Sequence, residues 1–344
     1  METIWFMIVA LMLVCYVILD GFDIGAGIVH YFVGRNEKER EAVIRSVGPV
    51  WDCNEVWLLA TGGTLYFAFP ALYSAGFSGF YLPLIMVLWL LIMRAAGLEL
   101  RHQLDNRLWT SFWDFVFAMA SILLAIFFGA ALGNVIRGVP LDATGYFFEP
   151  LFTDWRTTGS TGILDWFTVL SGLVAFVALA VHGAGYLALK TKGSMNLRAR
   201  RVVSIGWYLL VLVTVASLAA VMVVRPQMLD NYYELPIGWL IPILVVASLA
   251  TVKFFNGRGN DKMVFIGSSV YLAMMLGGAV YGLYPNVLPA LDPAFSLTVQ
   301  NAKAGSYGLT VGLIWWPIGI VIALGYFGFL FRTFKGKVSL DEPH

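Results

Sequence analysis

Six carboxylic acids interrupt, or border, stretches of sequence that are otherwise apolar: Asp20, Asp23, Asp52, Glu55, Glu99 and Asp114. An acid inside a membrane span is rare and costly, so each is a functional hypothesis by default. All six fall in the first 140 residues, and the corresponding stretches of the second half carry none. Asp20 and Asp23 are three apart, as are Asp52 and Glu55, so each pair is expected to share a helix face. Two carboxylates that close resist simultaneous ionisation, which suits a group that takes up and releases protons. The structural reading is that the acids pair with Arg94, Arg101 and Arg45 to hold helix ends together. That reading is preferred for Glu99 and Asp114, which lie at the interface. Asp52, flanked by Trp51 and Trp57, is expected on a proton path. Asp23 stands open to both roles, and Asp20, followed by Gly21, also shapes a local kink.

Other chemistry is thin. Of His30, His102, His182 and His344, only His182 lies well inside an apolar run, with His30 at the end of another. A haem held by two histidines needs them on facing helices at matching depth. His30 and His182 meet that requirement only in outline, no C-x-x-C-H attachment motif is present, and both are read as packing residues. No metal site is expected. Cys15 and Cys53 form neither a C-x-x-C pair nor a disulfide framework. The 12 Met residues are spread as apolar filler. The glycine-rich stretch Gly21–Gly27 lacks the preceding strand of a nucleotide site and is read as a close helix-packing surface.

The elements that must carry these acids follow from composition. Of 344 residues, 59% are hydrophobic and 12% charged, against roughly 25% charged in soluble domains. The apolar excess is expected to face lipid. A net charge of +1 excludes the basic surface that nucleic acid requires. Runs of about 20 apolar residues mark transmembrane helices. Nine are expected, near 4–31, 50–70, 79–100, 111–136, 163–188, 202–224, 236–255, 263–283 and 307–331. The first carries Glu2 in place of a positive n-region and has no cleavage site, so it is read as a span rather than a signal peptide.

With the N-terminus outside, only Arg137, Arg156, Arg225 and Lys303 of the 22 lysines and arginines fall on the outer side. That bias predicts an outer N-terminus and a cytoplasmic C-terminus. The two longest hydrophilic stretches, 138–162 and 284–306, are both expected outside, each after a group of four helices. Gly25-Ala26-Gly27 recurs as Gly183-Ala184-Gly185 and Ser46-Val47-Gly48 as Ser204-Ile205-Gly206, both at an offset of 158, as a duplication would produce. The expected architecture is an all-α polytopic membrane protein: a bundle over 1–140, a second over 141–283, then an outer loop, a ninth helix and a tail over 284–344. Trp and Tyr at the predicted ends read as an aromatic belt.

Two motifs carry a resemblance. One is Leu19-Asp20-Gly21-Phe22-Asp23-Ile24-Gly25-Ala26-Gly27. The other is Gly48-Pro49-Val50-Trp51-Asp52-Cys53-Asn54-Glu55-Val56-Trp57-Leu58, followed by Gly62-Gly63. With Phe77-Ser78-Gly79-Phe80-Tyr81, the Arg94–Arg101 segment, Gly133-Asn134, Gly138-Val139-Pro140, Tyr284-Pro285 and Ser296-Leu297-Thr298, they resemble subunit II of the bacterial cytochrome bd-type quinol oxidases. The resemblance implies two four-helix bundles plus one peripheral helix in the inner membrane. It implies a complex that oxidises ubiquinol or menaquinol and reduces dioxygen to water. Haems b and d belong to the partner subunit I, this chain binding no cofactor firmly, and a small single-helix subunit joins some complexes. Asp23 and Asp52 correspond to aspartates of a proton path from the cytoplasm, which Glu55 and Asp20 are expected to extend. Trp51 resembles a place where a quinone is held as a structural lipid, and Arg94 and Arg101 are expected at that quinone or lipid contact. Cys53 stands where glycine is familiar in the family.

A proton-coupled secondary transporter shares the spans, the repeat and the membrane acids. It calls for a midplane cavity on broken helices, whereas these acids crowd one face.

Overall fold

The computed structural model describes residues 1–339; His344 lies outside the described residues. The chain is almost wholly helical. In order come α1 (Glu2–Ile28), α2 (His30–Val33), α3 (Glu37–Val47), α4 (Trp51–Ala68), α5 (Pro70–Gly79), α6 (Tyr81–Glu99) and α7 (Arg107–Arg137). The second half holds α8 (Trp166–Lys190), α9 (Gly193–Val224), α10 (Asp230–Glu234), α11 (Leu240–Arg258), α12 (Asp261–Leu283) and α13 (Ser306–Thr333). An antiparallel ribbon, β1 (Asn286–Leu288) with β2 (Leu297–Thr298), departs from the all-α expectation. Its strands are too short to form a core of their own.

Among the described residues, eight helices are long and apolar enough to cross a membrane: α1, α6 continued to His102, α7, α8, α9, α11 with the turn before it, α12 and α13. The span expected near 50–70 corresponds to α4, an 18-residue helix that is not among them. Asp52, Asn54, Glu55, Gly62 and Gly63 dilute its apolar character. Helix ends follow local chemistry. Asp165 caps α8, accepting from the backbone N–H of Phe167 at 2.7 Å and of Thr168 at 2.8 Å, while the Thr168 hydroxyl accepts from the Asp165 N–H at 2.8 Å. Asn106 caps α7, and Gly259 ends α11 in the left-handed region at φ 76°. The α3 helix, absent from the span count, carries its own cap, the Asn36 side chain accepting from Glu39 N–H at 3.0 Å.

In the first half α1 packs on α4 and α7, and α6 on α7; in the second, α8 packs on α9 and α12, and α11 on α9 and α12. The halves join where α1 meets α8 and α12, and where α7 meets α8. The α1–α8 crossing has the repeated glycines at its centre. A Cβ on Gly25 would sit 2.1 Å from the Leu179 carbonyl oxygen and 2.8 Å from Gly183 Cα, and a Cβ on Gly183 would sit 2.1 Å from the Gly25 carbonyl carbon. Only glycine permits backbones this close. Helix α13 runs outside, burying only Leu309 and Leu330. It is held at one end by Trp5, whose indole N–H donates to the Leu309 carbonyl at 3.2 Å.

The two long hydrophilic stretches meet at one end of the molecule, Val139 N–H donating to Pro289 O at 3.0 Å and Leu291 N–H to Val139 O at 2.9 Å. Buried Arg137 anchors the first of them. Its guanidinium donates to Glu149 Oε1 at 2.5 Å, to the Gly162 carbonyl at 2.8 Å and to Asp165. Burial raises the Glu149 carboxyl above its ordinary range, although the Arg137 charge opposes this. At the opposite end the tail is strapped down: Val338 N–H donates to Lys190 O at 2.8 Å and Arg45 Nη2 to Ser339 O at 2.8 Å.

The crossing sets a test. Gly25→Val should lower the thermal midpoint of the purified protein, at a cost of about 1–3 kcal/mol or more for an overpacked contact. Gly62→Ala should leave the midpoint unchanged, because nothing lies within 4 Å of that position.

Candidate functional site

Helix periodicity lets α1 present Tyr16, Asp20 and Asp23 to its neighbours on successive turns. Helix α4 opens with Asp52, Asn54 and Glu55 in its first two turns, and α6 carries Arg94 inward. Arg94 is the hub. Fully buried, it donates from Nη1 to Asp20 Oδ1 at 2.6 Å and from Nη2 to Glu55 Oε2 at 3.1 Å. Asp23, also fully buried, forms no ion pair among the described residues; it accepts from Asn54 Nδ2 at 2.7 Å. One guanidinium therefore faces two carboxyls, with a third nearby. Full ionisation would leave two negative charges uncompensated in an apolar seam, where an unpaired charge is expensive.

Hydrogen bonding is incomplete around the same point. Among the described residues, Asp20 Oδ2, Asp23 Oδ1, Asn54 Oδ1, Arg94 Nε, Trp57 Nε1 and the Tyr16 hydroxyl are buried without a hydrogen-bond partner. Buried polar atoms are normally satisfied. Six such atoms gather here around ionisable groups.

Asp52 behaves differently from its expected companion. Glu55 turns in to Arg94, whereas Asp52, in the first turn of α4, is exposed on this chain and makes no hydrogen bond or ion pair among the described residues. The two acids still lie close enough to interact electrostatically. The shared face expected from their spacing thus splits into an inner and an outer member.

A second cluster lies further towards the basic end. Buried Asp114 accepts from Arg101 Nε at 2.7 Å and Arg40 Nε at 2.8 Å, and its Oδ1 lies 3.1 Å from His30 Nε2. Arg101 also pairs with Glu41, which meets His102 Nε2 at 2.9 Å. This network ties α2, α3 and the turn after α6 to α7, with His30 Nδ1 and Arg101 Nη2 left without a hydrogen-bond partner among the described residues. Glu99 accepts from the Trp51 indole at 3.2 Å, joining α4 to the end of α6. Trp51 lines a cavity of about 560 Å³ with Arg45, Leu98, Glu99 and His102. Arg94 and Arg101, expected at a quinone or lipid contact, are instead buried with their charges directed at carboxylates of this chain.

Buried His182 spends both ring nitrogens internally, Nδ1 lying 2.8 Å from the Ser268 hydroxyl and Nε2 3.0 Å from the Ile18 carbonyl. Among the described residues no group of three His, Cys, Asp or Glu side chains is placed to hold a metal. Cys15 and Cys53 are free thiols.

Sequence reasoning passed over Asn54, Tyr16, Arg40 and Glu41. Asn54 was visible as a further polar residue inside the second motif, and Tyr16 as the residue one turn before Asp20. Arg40 and Glu41 lie in a segment too polar to be read as a span, and nothing local points them at Asp114 or Arg101.

Residues 1–334 match the family described as cytochrome bd terminal oxidase subunit II. A probable cytochrome oxidase subunit 2 of Haemophilus influenzae is 31% identical, over 98% of this chain and 95% of that protein. Cytochrome bd ubiquinol oxidase subunit 2 of Bacillus subtilis is 30% identical over 100% of this chain and 98% of its own length. The corresponding cytochrome bd-I ubiquinol oxidase subunit 2 of Escherichia coli K12 is 30% identical over 98% and 95%. The fold resembles that of the bd oxidase from Geobacillus thermodenitrificans, with a TM-score of 0.76 at 16% identity, covering 97% of this chain and 98% of that one. A family match over nearly the whole chain, joined to eight membrane-crossing helices, makes this protein a member of the cytochrome bd terminal oxidase subunit II family, a multi-pass inner-membrane subunit of an oxidoreductase complex.

Proposed function

We propose that this chain is the haem-poor subunit of an oxidase that oxidises quinol and reduces dioxygen to water, and that its first helix group carries protons from the cytoplasm towards subunit I. The relatives from Bacillus subtilis and Escherichia coli are named as ubiquinol oxidase subunits, which supports the quinol half of the reading. The observation that carries the proton half is the disposition of four acids. Asp52 is open to the surface, Glu55 and Asp20 share Arg94, and Asp23 is buried with one carboxyl oxygen unpartnered. Reduction of dioxygen to water consumes protons. A route through Asp52, Glu55, Asp20 and Asp23 would draw them from one side and so separate charge. Arg94 keeps the inner acids from being too costly to ionise, and Asn54 holds Asp23 in place.

Haems b and d are assigned to the partner, subunit I. The internal hydrogen bonds of His182, and of His30 to Asp114, favour packing roles for both. The topology that fits this reading has α4 as a ninth span, the N-terminus outside and the C-terminus cytoplasmic. Residues 1–140 and 141–283 form the two bundles, and 284–344 supply the outer loop, peripheral helix and tail. A quinone serving as a structural lipid would sit against Trp51, and a small single-helix subunit is a further partner. Family membership leaves no room for the transporter reading.

Asp52→Asn and Asp23→Asn should each slow oxygen consumption by roughly 100-fold, the lower end of what removing a proton-transfer group costs. Haem absorption and subunit stoichiometry should stay unchanged. Wild-type turnover in both variants would remove the route. Arg94→Gln should prevent assembly of the complex, since leaving buried acids without their cation costs about 3–5 kcal/mol. Adding Asp20→Asn to that variant should recover part of the haem-bearing complex, measured as haem per milligram of membrane protein.

A further inference from the structure

The strapped-down tail borders two cavities at the basic end of the molecule, Lys190, Lys335, Gly336 and Lys337 lining both. One is the Trp51 cavity. The other, also about 560 Å³, opens between α1, α8, α12 and the end of α13, and no role described so far uses it. Its volume falls within the ~300–1,000 Å³ of small-molecule sites.

The inner wall is apolar and largely aromatic: Ile18, Leu19, Phe22, Phe265 and Phe331. Phe22 stacks on Tyr186 at 4.0 Å between ring centroids and makes edge contacts with Phe265 and Phe331. The one polar side chain of that wall, Tyr186, spends its hydroxyl on the Ser46 carbonyl at 2.9 Å. The mouth is the opposite. Lys190, Lys335 and Lys337 stand around it, and among the described residues no acid lines the cavity. Lys190 Nζ donates to the Phe334 carbonyl at 2.6 Å and Lys337 Nζ to the Thr191 carbonyl at 2.7 Å, which leaves each ammonium further donors. Lys335 is exposed and makes no hydrogen bond or ion pair among the described residues. Among the described residues Lys337 pairs with Asp261 at 3.9 Å, and that carboxylate is already held by Arg200 at 2.7 Å.

We propose that this cavity is a binding site for an anionic phospholipid, whose acyl chain lies against the aromatic wall and whose phosphate is held by the three lysines. Apolar depth with a cationic rim matches an amphiphile that is neutral and apolar at one end and negative at the other. Basic pockets between membrane helices bind anionic headgroups in this way. A quinone satisfies the wall but offers no charge to three ammonium groups, and inorganic phosphate satisfies the rim but not the wall. An occupant of this kind would also cement the joint between the two helix groups, since α1 and α8 both line it.

The test uses the whole complex, purified in a mild non-ionic detergent, with bound lipid extracted and identified by mass spectrometry. Wild type should retain a phosphatidylglycerol-class lipid that K335Q/K337Q loses. Ile18→Trp, which fills the apolar part, should lose the same lipid with all lysines intact. Quinone content should not change in either. In add-back to delipidated complex, the double variant should bind phosphatidylglycerol about 30-fold more weakly, taking ~1 kcal/mol per lysine, and phosphatidylcholine no differently. Because Lys335 and Lys337 are surface side chains, an intact haem spectrum is expected in that variant even if Ile18→Trp fails to assemble. The proposal is overturned if K335Q/K337Q keeps the lipid, if the two headgroups bind alike to wild type, or if quinone rather than phospholipid is lost.

Discussion

Charge compensation in an apolar seam is the constraint around which the first half of this molecule is arranged. Asp20 and Arg94 are both fully buried, and neither would be tolerable without the other. Each removes from water an ion that no lipid or aliphatic side chain can solvate. Their contact at 2.6 Å sets the depth of α6 against α1, and the second arm of the guanidinium to Glu55 sets the rotation of α4. The arrangement stops short of full compensation. One cation serves several carboxyls, and the polar atoms left over cluster beside it. A purely structural ion pair would be expected to close its hydrogen bonds, as the Arg137–Glu149–Asp165 anchor on the other end nearly does.

The two halves make the same point by contrast. Applying the 158-residue offset of the repeated glycines, Asp20, Asp23, Asn54, Glu55 and Arg94 correspond to Ala178, Val181, Leu212, Val213 and Val252. Every polar member of the hub is apolar in its counterpart. The shared feature is the glycine crossing itself, where Gly25 and Gly183 bring α1 and α8 into backbone contact. A common crossing with polar chemistry on one side only is what a duplicated bundle specialised in one copy would look like. These polar residues are confined to one half, and the apolar half packs against it through α8 and α12.

Much of this was legible in the sequence. Transfer of a residue from water to lipid is a local property, so apolar runs located the helices to within a few residues. Where they failed, the cause was equally local. The α3 helix has too little apolar surface to register as a span, and the start of α9 was missed because its first turns carry Arg198, Arg200 and Arg201. The paired acids and the glycine motifs were visible too, because their spacing matches the helical repeat.

What the sequence by itself determined is therefore the membrane class, the helices, the acids to suspect and the family. The tertiary structure alone decided where each acid sits and what it pairs with. Asp23 and Asp52 carry the same signal, yet one is sealed beside Asn54 and the other faces outward. Arg94 and Arg101 look alike in sequence, yet one pairs with Asp20 and Glu55 and the other with Asp114 and Glu41. Those differences rest on contacts between residues tens of positions apart, Arg94 with Asp20 and Glu55, Arg101 with Glu41. The energy of a buried charge depends on its nearest neighbour in space, and no local pattern along the chain encodes who that neighbour will be.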